Sequence, residues 1–301
     1  MKRFVLMTGA LLAFLCLPCA AHAAVDDTAS EVPLTFEQGH VIVLARVNGE
    51  EPVEVVLATG SEHSVVDGGM LEKYKLRLYY TGEGIITGGP TDRTITFASV
   101  PNIRVGDVKM TNLNMHFGSL EHVSKRLGRQ IFGIFGADFF KGRVVQFDFG
   151  KKVVRFLPQP PAGMAKDAKP GDDAGGRVVL PMGSYKDGLT LPIIDKAIFD
   201  GKEIKTLLDT GMVTVVSLKS SAIKRLGLSS LPEKSPPRAD KVSSLRFGSQ
   251  EVKDVPVTLY AKGSDFDRDI QEVGAVAGAL LLQNFVVTFD FRRRLVMLEH
   301  L

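Results

Sequence analysis

Leu207-Leu208-Asp209-Thr210-Gly211 repeats, with one chemical change, the earlier stretch Val56-Leu57-Ala58-Thr59-Gly60. Each is an apolar run that ends in x-Thr-Gly, the pattern of a strand entering a tight turn. The surroundings repeat as well. Before the first copy, Val41 to Val47, Asn48-Gly49 and Val53 to Leu57 read as a hairpin. Before the second, Leu191 to Phe199, Asp200-Gly201 and Ile204 to Leu208 read the same way. Asn-Gly and Asp-Gly both accept the positive φ of a two-residue hairpin turn. After each tripeptide come two valines, Val65-Val66 or Val215-Val216, and then a helix-like run, Met70 to Leu76 or Ser221 to Leu226.

The halves also close alike. Ile134-Phe135-Gly136-Ala137 leads through Asp138-Phe139-Phe140 into Val144 to Phe149. Val276-Ala277-Gly278-Ala279 leads through Leu280-Leu281-Leu282 into Val286 to Phe291. Each closing segment contains Phe-Asp-Phe and runs into a basic turn, Gly150-Lys151-Lys152 or Arg292-Arg293-Arg294. One Asp-Thr-Gly recurs by chance; the whole ordered set occurring twice marks an internal repeat.

These residues resemble the pepsin and retropepsin superfamily of aspartic proteases, and within it bacterial exported proteins that look like two fused retropepsin-type halves. The resemblance implies an all-β fold with a few short helices: two pseudo-symmetric lobes around a central cleft. It implies one catalytic aspartate from each x-Thr-Gly loop, threonines (Thr59, Thr210) that brace the loops against each other, and supporting positions at Gly60, Ser61, Gly211, Gly136 and Gly278. It also implies a glycine-rich flap, for which Gly82, Gly84 and Gly88 are the candidates. A phosphate-cradling reading of that glycine run lacks the βαβ context it needs.

Here the sequence departs from the family. The first loop has Ala58 where an aspartate is expected, so Asp209 is the retained acid. Two carboxylates about 3 Å apart share one proton, one acting as base and the other as acid. An alanine supplies neither function. The second loop follows Gly211 with Met212, a thioether that cannot donate a hydrogen bond. Glu62, Asp67 and Asp138 are nearby acids, but no strand alternation turns Glu62 or Asp67 toward position 58, and Asp138 reads as a helix-start or turn residue whose repeat counterpart is Leu280. His63 after Ser61 belongs to no recognisable acid-histidine-nucleophile order, and no His, Asp or Glu spacing suggests a metal. No cofactor is implied.

The expected function is an incomplete aspartic-peptidase site, impaired in turnover and binding extended peptide or an unfolded protein segment between the lobes. One alternative is an active endopeptidase, either through dimerisation that brings two Asp209 loops together or with Ala58 as an inactivating change in a chain that normally carries Asp. A non-enzymatic all-β binding protein, with both tripeptides as plain turns, is the other.

Residues 1–23 read as a signal peptide: Lys2-Arg3, an apolar run from Phe4 to Leu17, and the small-x-small pattern Ala21-His22-Ala23. Export to the periplasm or medium is therefore expected, with no membrane anchor after cleavage and a monomeric state. Both cysteines, Cys16 and Cys19, fall in this leader, so neither disulfides nor thiol chemistry is expected in the remainder. With 37 Lys and Arg against 34 Asp and Glu, two of the basic residues being in the leader, nothing in the charge points to nucleic acid. The Pro-, Gly- and Asp-rich stretch 158–176 reads as a linker between an N-terminal lobe, 24–157, and a C-terminal lobe, 177–301.

Overall fold

A computed structural model describes residues 29–83, 94–164, 173–174, 176–183, 185, 190–268 and 272–301. The stretch expected to be a leader, Gly84, Gly88 and the middle of the expected linker lie outside them. The fold is mostly β with a few short helices, and it contains two closed six-strand barrels.

The first barrel runs in the order His40–Val47, Val53–Leu57, Gly133–Phe135, Val65–Asp67, Val108–Gly118 and Thr94–Val105. It closes where Arg46 and Val47 pair with Arg104 and Ile103. The second runs Ile193–Phe199, Lys202–Asp209, Ala275–Gly278, Val216–Leu218, Gln250–Leu259 and Arg238–Phe247. Strand directions match one for one. The strand entering each Thr-Gly loop is parallel to the apolar-apolar-Gly strand, and the strand leaving the loop is antiparallel to it. Parallel neighbours cannot be joined by a tight hairpin, so both halves make the same long crossover, through the segments that precede Gly133 and Ala275.

A seven-stranded sheet joins the halves in the order Ser30–Pro33, Val153–Leu157, Val144–Asp148, Phe285–Asp290, Leu295–His300, Arg177–Pro181 and Asp173–Ala174. At its centre Gln146 pairs with Thr288. These two are repeat equivalents, as Phe147 is of Phe289, so the pseudo-two-fold axis passes through this one pair. Gln146 Nε2 donates to Thr288 Oγ1 at 3.1 Å across it. Around the axis, Phe147 meets Phe289 edge-on at 5.7 Å and Phe140 stacks on Phe291 at 5.4 Å. The doubled acids of Phe-Asp-Phe shape the turns that follow. Asp148 accepts from Lys151 N at 2.9 Å and from Arg155 Nη1 at 3.0 Å; Asp290 accepts from Arg292 N and Arg293 N at 3.0 and 2.9 Å.

Two local expectations change. Asp200-Gly201 makes the two-residue turn, with φ of 45° and 78° and Phe199 opposite Lys202. Asn48 and Gly49 also take positive φ, 52° and 80°, but pairing resumes at Ala45 opposite Val53, because Arg46 and Val47 have left for the Thr94–Val105 strand. The second half forms the α-helix Ser220–Leu226, whereas the first makes one 3₁₀ turn, Gly68–Met70, followed by turn residues through Lys75, whose φ is 51°. The linker is tied down in part: Met164 is fully buried with Val179 and Met297, and Arg293 donates to its carbonyl.

Candidate active site

The two x-Thr-Gly loops meet back to back on the pseudo-two-fold axis. Thr59 N donates to Thr210 Oγ1 at 3.1 Å, and Thr210 N donates to Thr59 Oγ1 at 3.1 Å. Each hydroxyl then donates to the carbonyl preceding the opposite loop, Thr59 Oγ1 to Leu208 O at 2.9 Å and Thr210 Oγ1 to Leu57 O at 2.7 Å. Both threonines are fully buried. Four hydrogen bonds thus leave neither hydroxyl nor either amide unsatisfied, the condition under which buried polar groups hold two elements in register.

The turns themselves are copies, Ser61 N to Ala58 O and Met212 N to Asp209 O, both at 3.2 Å. Each glycine lies against the variable residue of the other loop. A Cβ on Gly60 would stand 2.6 Å from Asp209 Cβ, and one on Gly211 would stand 2.4 Å from Ala58 Cβ. Ala58 and Asp209 therefore occupy equivalent places, the alanine buried and the acid half-buried. Asp209 Oδ1 accepts from Gly211 N at 2.7 Å and, across the axis, from Gly60 N at 3.0 Å. The amides of both loops converge on one carboxylate oxygen, an arrangement that stabilises negative charge there.

Gly136 and Gly278 sit directly beneath the loops. A Cβ on Gly136 would meet His63 O at 2.7 Å and Ser61 O at 2.8 Å; one on Gly278 would meet Thr214 O at 2.1 Å and Met212 O at 2.5 Å. Their φ values, −107° and −90°, suit any residue, so space and not backbone conformation demands glycine. The obstructing atoms are backbone and cannot rotate away. Gly278→Ala is expected to lower stability by about 1–3 kcal/mol, read as a fall in the urea midpoint; an unchanged midpoint would show that the loop can lift.

The remaining sequence candidates fall as follows. Ser61 supports its own loop, its hydroxyl donating to His63 O at 2.8 Å. Asp138 lies in the first turn of the helix Ala137–Phe140 and accepts from Phe139 N at 2.8 Å and from Ser64 N and Oγ. Met212 packs on an apolar cluster with Leu191, Ile193 and Ala137. Gly82 lies in the edge strand Arg77–Glu83, paired with Thr94–Val105; the Gly84 and Gly88 part of the flap assignment falls outside the described residues. Two further residues carried no sequence signal: Tyr185, whose hydroxyl donates to Glu62, and Gly39, which abuts Val213.

Two buried histidines stand behind the first half. His116 stacks on His63 at 4.5 Å and meets Phe97 at 4.4 Å; its backbone N donates to Ser64 O. Burial, with His63 adding to it, pushes its pKa down to about 4. Burial also pushes His40 down to about 4, helped by the charges of Arg126 and His122. Among the described residues, His40 Nδ1 and His116 Nε2 are buried without a hydrogen-bond partner, so protonating either ring would strand a charged N–H. The unfolded chain takes up these protons near pH 6.5 and the folded chain only near 4. The stabilisation is thus complete above about pH 6.5 and lost as pH falls toward 4, on the order of 2–3 kcal/mol for each ring. Urea midpoints are expected to fall between pH 7 and 4.5, less steeply in His116→Phe; parallel slopes would assign the loss elsewhere.

Residues 43–139 match a family model described as aspartyl protease. The matched stretch runs from inside the strand His40–Val47 into the helix Ala137–Phe140, and so covers the half that carries Ala58. No curated protein matches the chain.

Proposed function

We propose, starting from the aspartyl-protease match over residues 43–139, that this is an exported protein with an aspartic-peptidase scaffold and an incomplete dyad. Its cleft binds extended peptide and turns it over poorly. The observation that carries this reading is the interlocked pair of loops, in which Ala58 and Asp209 take equivalent places. Peptide hydrolysis by such a site needs one carboxylate to take a proton from water and a protonated one to polarise the scissile carbonyl. Asp209 can serve in one of these roles, and no acid at position 58 serves in the other. Binding does not need the dyad: an extended segment can pair its backbone with strand edges beside the cleft.

The dimer route to activity is disfavoured by the threonines. A second Asp209 loop would have to displace the first-half loop from four buried hydrogen bonds already made within one chain. The same bonds speak against two unrelated structural turns, which have no reason to bond reciprocally. The test is cleavage of a mixed peptide library from about pH 3 to 8, with binding of a labelled extended peptide measured in parallel. Binding without cleavage is expected. Cleavage by the unaltered chain that disappears in Asp209→Asn would overturn the impairment, and absence of binding would overturn the peptide-binding role.

A further inference from the structure

The fourth residue after each variable position, Glu62 after Ala58 and Val213 after Asp209, is met by a segment of the opposite half. Gly39, buried at a turn with φ +82°, packs so closely on Val213 that a Cβ there would stand 3.0 Å from its Cα and Cβ. On the symmetric flank, Tyr185 of the second half donates its hydroxyl to Glu62 Oε1. The Tyr185 ring packs on the cluster that includes Ala137 and is also met by Met212, so it touches both halves beside the loops. The same position after each variable residue is thus met by the opposite half, in one case by an apolar close approach and in the other by a phenol on a carboxylate.

Glu62 is half-buried, and among the described residues no Lys or Arg comes within ion-pair distance of it. A neutral hydroxyl meets one of its oxygens, and a carboxylate set beside a phenol suits a cationic partner. We propose that Glu62, beside Tyr185, forms a subsite selecting a basic side chain of the bound peptide on one side of Asp209. The inference rests on the peptide-binding reading above, and it assigns the ligand chemistry that reading leaves open.

The test uses the mature full chain and pairs of labelled extended peptides that differ at one position, lysine against the uncharged norleucine, followed by fluorescence anisotropy. At one peptide position the lysine peptide is expected to bind about 2–5-fold more tightly, the range of an exposed ion pair, and to lose that advantage at high salt. Glu62→Gln is expected to bring the two peptides to equal affinity, and Glu62→Lys to favour a glutamate peptide instead. Equal affinities for the unaltered chain, or a lysine preference that survives in Glu62→Gln, overturn the subsite while leaving peptide binding standing. Failure of every peptide to bind overturns both. Circular dichroism of each variant separates a lost preference from a lost fold.

Discussion

Ala58→Asp is expected to convert the chain into a peptidase, raising cleavage of extended peptides by about a thousand-fold or more over the parent. The backbone of the two loops is prepared for the change. The alanine Cβ already lies against Gly211 as the Asp209 Cβ lies against Gly60. Gly60 N–H, which now reaches across to Asp209 Oδ1, lies two residues past position 58, as Gly211 lies two past Asp209. A second carboxylate facing the first would force the pair to share a proton and place activity on the acid side of neutrality. That side is also where the neutral buried rings of His40 and His116 oppose folding, so the activity maximum is expected where the rising dyad meets the falling stability. Asp209→Asn in the same background should return the rate to the parent's. A parent as fast as the variant would mean that another group already supplies the second acid.

Thr59→Val is expected to cost about 2–6 kcal/mol of stability. The substitution keeps shape and removes the hydroxyl, leaving Leu208 O and Thr210 N–H buried and unpaired; each such group costs about 1–3 kcal/mol. Thr210→Val should cost as much by symmetry, through Leu57 O and Thr59 N–H. Thr59→Ser retains the oxygen and should stay within about 1 kcal/mol of the parent. Urea midpoints of the three variants decide the matter. A valine variant as stable as the serine one would mean that water replaces the lost bonds and that the loops are not held by their threonines.

The repeat was legible because its signals are local. Asp-Gly fixes a turn through two positive φ angles, and glycine beneath each loop follows from a backbone approach closer than any side chain allows. What escaped the sequence is decided by chain segments far apart. The hairpin after Val47 opens because Arg46 and Val47 pair with Arg104 and Ile103 to close the barrel, a contact that Asn48-Gly49 does not announce. The helix expected from Met70 to Leu76 gives way to a single turn: Asp67, at its start, divides its carboxylate between Gly69 N and Leu120 N, and the chain leaves helical geometry at Lys75. Tyr185 sits in a stretch without periodicity, and only its contact with Glu62 gives it meaning. Aligning the repeats does place Glu62 opposite Val213, so the chemical inequality of the two flanks was present in the sequence, although what crosses to meet them was not.

The pairing of Gln146 with Thr288 on the axis bears on how such a site can change. In an assembly of two identical chains, a residue on that axis faces itself, and every codon change strikes both sides of the site at once. Here a glutamine faces a threonine, because each half has its own stretch of gene. A single base change can remove one acid while its partner, both threonines and all four supporting glycines stay as they were. Loss of catalysis then need not bring loss of the scaffold, and selection can keep acting on the cleft for whatever it still holds.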